Sequence, residues 1–130
     1  MLVIDASAVV ELLLTTEMGH RVATVITGDQ TLHAPELIGV ELISVLRRLT
    51  RLGELSVDDA RRSLVDFGDL GIELYEHTPL LGRAFDLRES VSAYDAVYVA
   101  LAEAVDAPLL TCDAKLAGAS GHAAVIQLVR

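Results

Sequence analysis

Four carboxylates stand out along the chain: Asp5 in "VIDAS", Glu41 in "GVELI", Asp95 in "AYDAV" and Asp113 in "TCDAK". Each sits in apolar company, where acids are rarely buried unless something pairs with them. Each also has an ordinary explanation. Asp5 and Asp113 fall where a strand hands over to a helix, so either could cap that helix by accepting an orphan amide. Ser7 could take over the first cap and free Asp5. Asp95 follows Ser92 by three, the spacing of a capping box, and a first-turn acid suits the helix dipole. Glu41 borders the apolar stripe of its helix, where it could reach out to water or pair with Arg48.

Together the four ask for a common cause. Two unit charges about 4 Å apart repel by roughly 4 kcal/mol at an effective dielectric of 20. Converging carboxylates left alone would take up protons. A divalent cation removes the repulsion. Donors made only of carboxylate oxygen suit Mg2+ or Mn2+ rather than softer metals.

The elements that must gather these acids alternate. "LVID" reads as a short buried strand and "SAVVELLL" as the helix after it. "HRVATVITG" reads as a second helix ending near Gly28, and "TLHA" as a short strand. Pro35 opens "PELIGVELISVLRRLTRLG", whose Ile38, Leu42, Val45, Leu46 and Leu49 repeat at helical spacing, with Gly53 as its stop. "SVDDARRSLVDFG" follows, with Ser56 and Asp59 as a capping box and Val57, Ala60, Leu64 and Phe67 on one face. Then come a strand "IELYEH", a short helix opened by Pro79, the apolar helix "SAYDAVYVALAEAV", a strand "PLLTC", a short helix "DAKLAGA" and a last strand "AAVIQLV". Such alternation predicts an α/β fold with a mostly parallel sheet. Sites in such sheets form beyond the carboxyl ends of strands, near a reversal of strand order. Asp5 and Asp113 both belong to that edge.

The chain of 130 residues, without repeat or linker, reads as one domain, 1–130. It is 52% hydrophobic but only 4% aromatic, so the core is Ala, Val and Leu, and some apolar surface could be covered in an oligomer. A net charge of −9 argues against an ordinary nucleic-acid surface, because phosphates repel it. The objection weakens if acids hold metal, since a bound cation inverts the local charge. Cys112 is the only cysteine, which leaves no intrachain disulfide and no Cys-based zinc site and fits a reducing cytoplasm. The first ten residues lack the basic start of a signal peptide, and no run of about 18 apolar residues predicts a membrane span.

The blocks "VIDASAVVELLL", "APELIGVELISVLRRL" and "AYDAVYVALAEAVDAPLLTCDAKLAGA" resemble the PIN domain, in particular the VapC ribonuclease toxins of bacterial toxin–antitoxin pairs. The resemblance spans nearly the whole chain, though residues 52 to 90 carry little of it. It implies a three-layer α/β/α fold and metal-dependent endoribonuclease activity on RNA. It also implies Mg2+ (or Mn2+) held by Asp5, Glu41, Asp95 and Asp113, with Ser7 and Thr111 beside the metal, and products with 5′-phosphate and 3′-hydroxyl ends. The implied partners are RNA, a cognate antitoxin that offers a basic side chain to the acidic pocket, and a second copy in a homodimer. Arg47, Arg48 and Arg51 cluster at one helix end, where they either complement the dipole or contact RNA, and Arg61 and Arg62 open the next helix.

Two rivals stand beside this reading. An aspartyl-phosphate mechanism would use Asp5, Thr111 and Lys115, but it lacks a D-x-D pair. A non-catalytic RNA- or protein-binding scaffold of the same fold would not need all four acids. His20, His33, His77 and His122 have no ligand or catalytic spacing and read as mostly surface or loop residues. Cys112 has no histidine close in sequence to activate it.

Overall fold

The computed structural model describes residues 1–130. Strand β1 (Leu2–Ile4) leads through Asp5 into α1 (Ala6–Leu13), followed by α2 (Glu17–Val25), β2 (Leu32–Pro35), α3 (Leu37–Arg51) and α4 (Val57–Asp69). Then come β3 (Glu73–Tyr75), a 3-10 turn (Thr78–Leu80), α5 (Leu81–Asp86), α6 (Ala93–Val105), β4 (Leu109–Thr111), α7 (Ala114–Ala117) and β5 (Ile126–Leu128).

All four strand pairings are parallel, in the order β3-β2-β1-β4-β5. The chain moves outward from β1 through β2 to β3. It then returns to the other side of β1 for β4 and β5. The reversal therefore lies between β1 and β4, where Val3 registers with Leu109 and the Asp5 amide extends the ladder to Leu110 O at 3.2 Å. Every residue of β1, β2 and β4 is buried, as expected of inner strands covered on both faces. Helix α1 packs on α2, α3 and α4, and α5 packs on α6, in an α/β/α arrangement around the sheet.

Helix α6 explains its own composition. Its residues Ala96 to Ala102 are all buried, and the helix packs against β1, β2 and β4 as well as α5. A helix covered on every side has no polar face to keep. Its small residues join Leu, Val and Ile of the inner strands in a 24-residue core.

Four expectations change in detail. Pro35 closes β2 instead of opening a helix, and α3 begins at Leu37. Proline lacks a ladder amide, but at the strand's last residue none is needed; the next amide, of Glu36, continues to Tyr75 O at 2.9 Å. Helix α2 starts at Glu17, because the Thr16 hydroxyl caps it by accepting the Gly19 amide at 2.9 Å, and it ends at Val25, short of Gly28, where Ile26 turns to extended backbone. On α4 the inward face is Ala60, Ser63 and Phe67; Val57 and Leu64 are 59% and 38% exposed. His33 is buried in β2, held between the Thr31 hydroxyl and the Tyr75 phenol, each at 2.8 Å. Gly19 marks where α1 and α2 meet backbone to side: a Cβ there would lie 2.0 Å from Glu11 O, so only glycine fits.

Candidate active site

Asp5 ends the first strand and is only 6% exposed. It caps α1, its Oδ1 accepting the Ala8 amide at 3.0 Å. Ser7 does not take that cap, because its hydroxyl is used elsewhere. It donates to Asp5 Oδ1 at 2.6 Å and accepts the Cys112 amide at 3.0 Å. Thr111, fully buried at the end of β4, mirrors it. Its hydroxyl donates to Asp5 Oδ2 at 2.5 Å and accepts the Asp113 amide at 3.0 Å. A hydroxyl has one proton to give. Both protons go to Asp5, so the 3.3 Å approach of Ser7 to Thr111 adds no third donor. Two amides at the exit of β4 thus reach the two oxygens of Asp5, each through one hydroxyl. Burial raises the Asp5 pKa, the Asp113 charge adds to the rise, and these hydrogen bonds oppose it.

Glu41 projects from α3 and accepts the Tyr98 phenol at Oε1, 2.7 Å away. It forms no ion pair with Arg48. Burial lifts its pKa first, and the charges of Asp5 and Asp95 add to the lift. The phenol is itself pushed far above its ordinary pKa by burial and by Glu41, so it stays a donor. Asp95 lies in the first turn of α6, where Ser92 accepts its amide at 3.2 Å as the cap. Burial and then the charges of Asp113 and Asp5 raise the Asp95 pKa, with the Ser92 hydroxyl opposing. Asp113 caps α7, its Oδ1 accepting the Lys115 amide at 2.9 Å. Capping and site chemistry therefore coexist at Asp5 and Asp113, whereas at α6 the cap is Ser92 and the Asp95 carboxylate makes no return bond to the Ser92 amide.

The four acids act on one another through space, and no Lys, Arg or His forms an ion pair with any of them. Their negative charge is met by no ion pair. No three of the side chains lie at direct-ligand spacing for one ion. What suits a hard cation such as Mg2+ is the all-oxygen chemistry of the four side chains.

A cleft of about 510 Å3 opens over Ser7, Glu41, Cys112 and Asp113 and runs on past Ser44 to Arg48; Asp5 and Asp95 stand outside its lining. A hollow of about 400 Å3 shares Ser44 and Arg48 and continues to Arg47 and Arg51. These three arginines have no acidic partner, whereas Arg62 pairs with Asp59 at 3.3 Å. Cys112 is half-buried; burial, with the charges of Asp5 and Glu11, pushes its thiol up to about 11, so it is no nucleophile at neutral pH. An aspartyl-phosphate at Asp5 would have to displace hydrogen bonds on both of its oxygens. Sequence reasoning passed over Tyr98. Its signal was a hydroxyl in the otherwise apolar run Ala96–Ala102, one turn after Asp95.

The chain matches the PIN domain over residues 2–121. Ribonuclease VapC12 of Mycobacterium tuberculosis is 41% identical to it over 129 residues, 99% of each chain. Among solved structures, PAE2754 from Pyrobaculum aerophilum superposes with a TM-score of 0.68 at 25% identity, over 96% of this chain and 81% of that one. One chain of a toxin–antitoxin complex from Klebsiella pneumoniae shares the fold, with a TM-score of 0.59 at 13% identity over 91% of both chains. With its parallel sheet and its acids at the reversal between β1 and β4, this chain belongs to the PIN domain family, among the VapC proteins.

Proposed function

We propose that this protein is a Mg2+- or Mn2+-dependent endoribonuclease, the toxin of a toxin–antitoxin pair, which hydrolyses RNA phosphodiesters at Asp5, Glu41, Asp95 and Asp113. The observation that carries the reading is a set of four acids that no ion pair meets, two of them, Asp5 and Asp113, directly after the strands that flank the sheet reversal. The name of the 41% identical ribonuclease supports the reaction, and the Klebsiella complex supports a protein partner for the fold.

Asp5, Glu41, Asp95 and Asp113 would hold the cation. Bound there, a divalent ion would supply a water of lowered pKa and offset charge on the phosphate. Ser7 and Thr111 fix both oxygens of Asp5 and draw it toward its ionised form. Arg48 receives a phosphate next to the reacting one, and Arg47 and Arg51 extend that strip along α3. RNA approaches this strip, so the acidic remainder of the surface does not oppose it. The products carry 5′-phosphate and 3′-hydroxyl ends.

An antitoxin silences the site by placing a basic side chain among the acids. The working unit is a homodimer of one-domain chains, 1–130, in the cytoplasm. Exposed Leu81 and Phe85 supply apolar surface for the dimer, and no helix is long and apolar enough to cross a membrane. The test is incubation with total cellular RNA, with Mg2+, Mn2+ or EDTA, followed by sequencing of 5′ ends. Discrete cuts are expected, lost in Asp5→Asn and Asp95→Asn. Cleavage indifferent to EDTA would overturn the metal mechanism.

A further inference from the structure

Tyr98 is 1% exposed, within a helix segment whose neighbours are all apolar. Packing alone would be served by phenylalanine. A buried phenol keeps its oxygen only where it has a partner, and here it has one. Its hydroxyl donates to Glu41 Oε1 at 2.7 Å. One bond thus joins α3 at Glu41 to α6 one turn past Asp95.

Glu41 has a longer side chain than the three aspartates and sits only half-buried. Unheld, it has several rotamers that point away from the other acids. Of its two oxygens, one is taken by Tyr98, and no other side chain or amide bonds the second.

We propose that Tyr98 is a positioning residue, whose phenol holds one oxygen of Glu41 and leaves the other directed to the cation or its water. This rests on the reading of the four acids as a cation site. Tyr98 touches neither RNA nor metal; it acts through Glu41.

The test measures Mn2+ binding by calorimetry on the protein without RNA, and then cleavage kinetics. Tyr98→Phe is expected to weaken Mn2+ binding about tenfold, as loss of a ligand's supporting hydrogen bond does elsewhere. Its kcat should fall, with KM for RNA unchanged to within about twofold. In a Glu41→Gln background the same change should weaken Mn2+ binding no further. Tyr94→Phe, at an exposed ring, should match the parent. Mn2+ binding by Tyr98→Phe equal to the parent, or a full additional loss on top of Glu41→Gln, would overturn the proposal.

A parent that binds Mn2+ and cuts RNA beside an unimpaired Tyr98→Phe overturns this inference alone. A parent that does neither overturns the cation site with it. Should Tyr98→Phe not fold, the parent still reports. The chain has three tyrosines and no tryptophan, so Mn2+ should shift its near-ultraviolet tyrosine absorbance. That shift should persist in Tyr94→Phe and vanish in Glu41→Gln. A parent that binds Mn2+ without it overturns the proposal.

Discussion

Replacing Thr111 by valine keeps the shape of a fully buried side chain and removes one proton donor. The lost bond is short, 2.5 Å, and its acceptor is the carboxylate Oδ2 of Asp5, which has no other donor. A hydrogen bond to a charged group contributes about 1.5–3 kcal/mol, and leaving a buried partner unpaired lies at the upper end. The change also strips the Asp113 amide of its 3.0 Å acceptor. Thr111→Val should therefore cost about 2–3 kcal/mol at neutral pH, a melting temperature lower by about 10 °C. The deficit should depend on pH, and its sign follows from proton linkage. Burial already raises the Asp5 pKa, and the Thr111 hydroxyl opposes the rise. Without it the native state holds its proton to still higher pH than the unfolded chain does. Stability then falls more steeply as pH rises through that window. Once Asp5 is protonated it makes little demand on a donor, and the deficit shrinks. Urea titrations in EDTA at about pH 5 and pH 8 measure both quantities. A deficit below about 0.5 kcal/mol at the higher pH would refute the account of Asp5 as an ion held by hydroxyls.

Further expectations concern the cation, the helix crossing and the arginine strip. Mg2+ should stabilise the protein more at about pH 8 than at about pH 5, because Asp5, Glu41 and Asp95 all have raised pKa values and must lose protons to bind it; paired melts check this, and equal increments would contradict it. Gly19→Ala should cost about 3 kcal/mol in urea titrations, since its Cβ would meet Glu11 O at 2.0 Å, whereas Gly68→Ala on α4, with open space around it, should be neutral or stabilising. Arg48→Ala should weaken single-stranded RNA binding and reduce the slope of log K against log salt by about 0.7 without moving the melting temperature; an unchanged slope would remove Arg48 from the phosphate path.

Much of this molecule was readable before its fold was known. The alternation of elements set the class, and the all-round apolar α6 announced a buried helix. Asp5 and Asp113 could be placed on one sheet edge because strand ends in parallel sheets share a direction. What escaped was pairwise. No local rule shows that the Ser7 hydroxyl serves Asp5 and not its own helix, since the competing acceptor and the Cys112 amide come from opposite ends of the chain. Tyr98 escaped for the same reason, its partner being 57 residues away. Pro35 was misplaced because a proline suits a first helical turn as well as the end of a strand, and only the pairing with β3 decides between them. The burial of His33 escaped because its partner Tyr75 arrives from another strand.

The strand order also sets a timetable. The first strand finds one neighbour early, in β2, but its other neighbour, β4, is made almost last. The bond from Thr111 to Asp5 spans 106 residues. Until β4 leaves the ribosome, Asp5 has neither the Thr111 donor nor the Asp113 amide behind it, and Asp95 and Asp113 are absent or unplaced. A nascent chain of this design is chemically mute for most of its synthesis. If the finished protein cuts RNA, the machine translating it is spared by topology alone until the site is assembled.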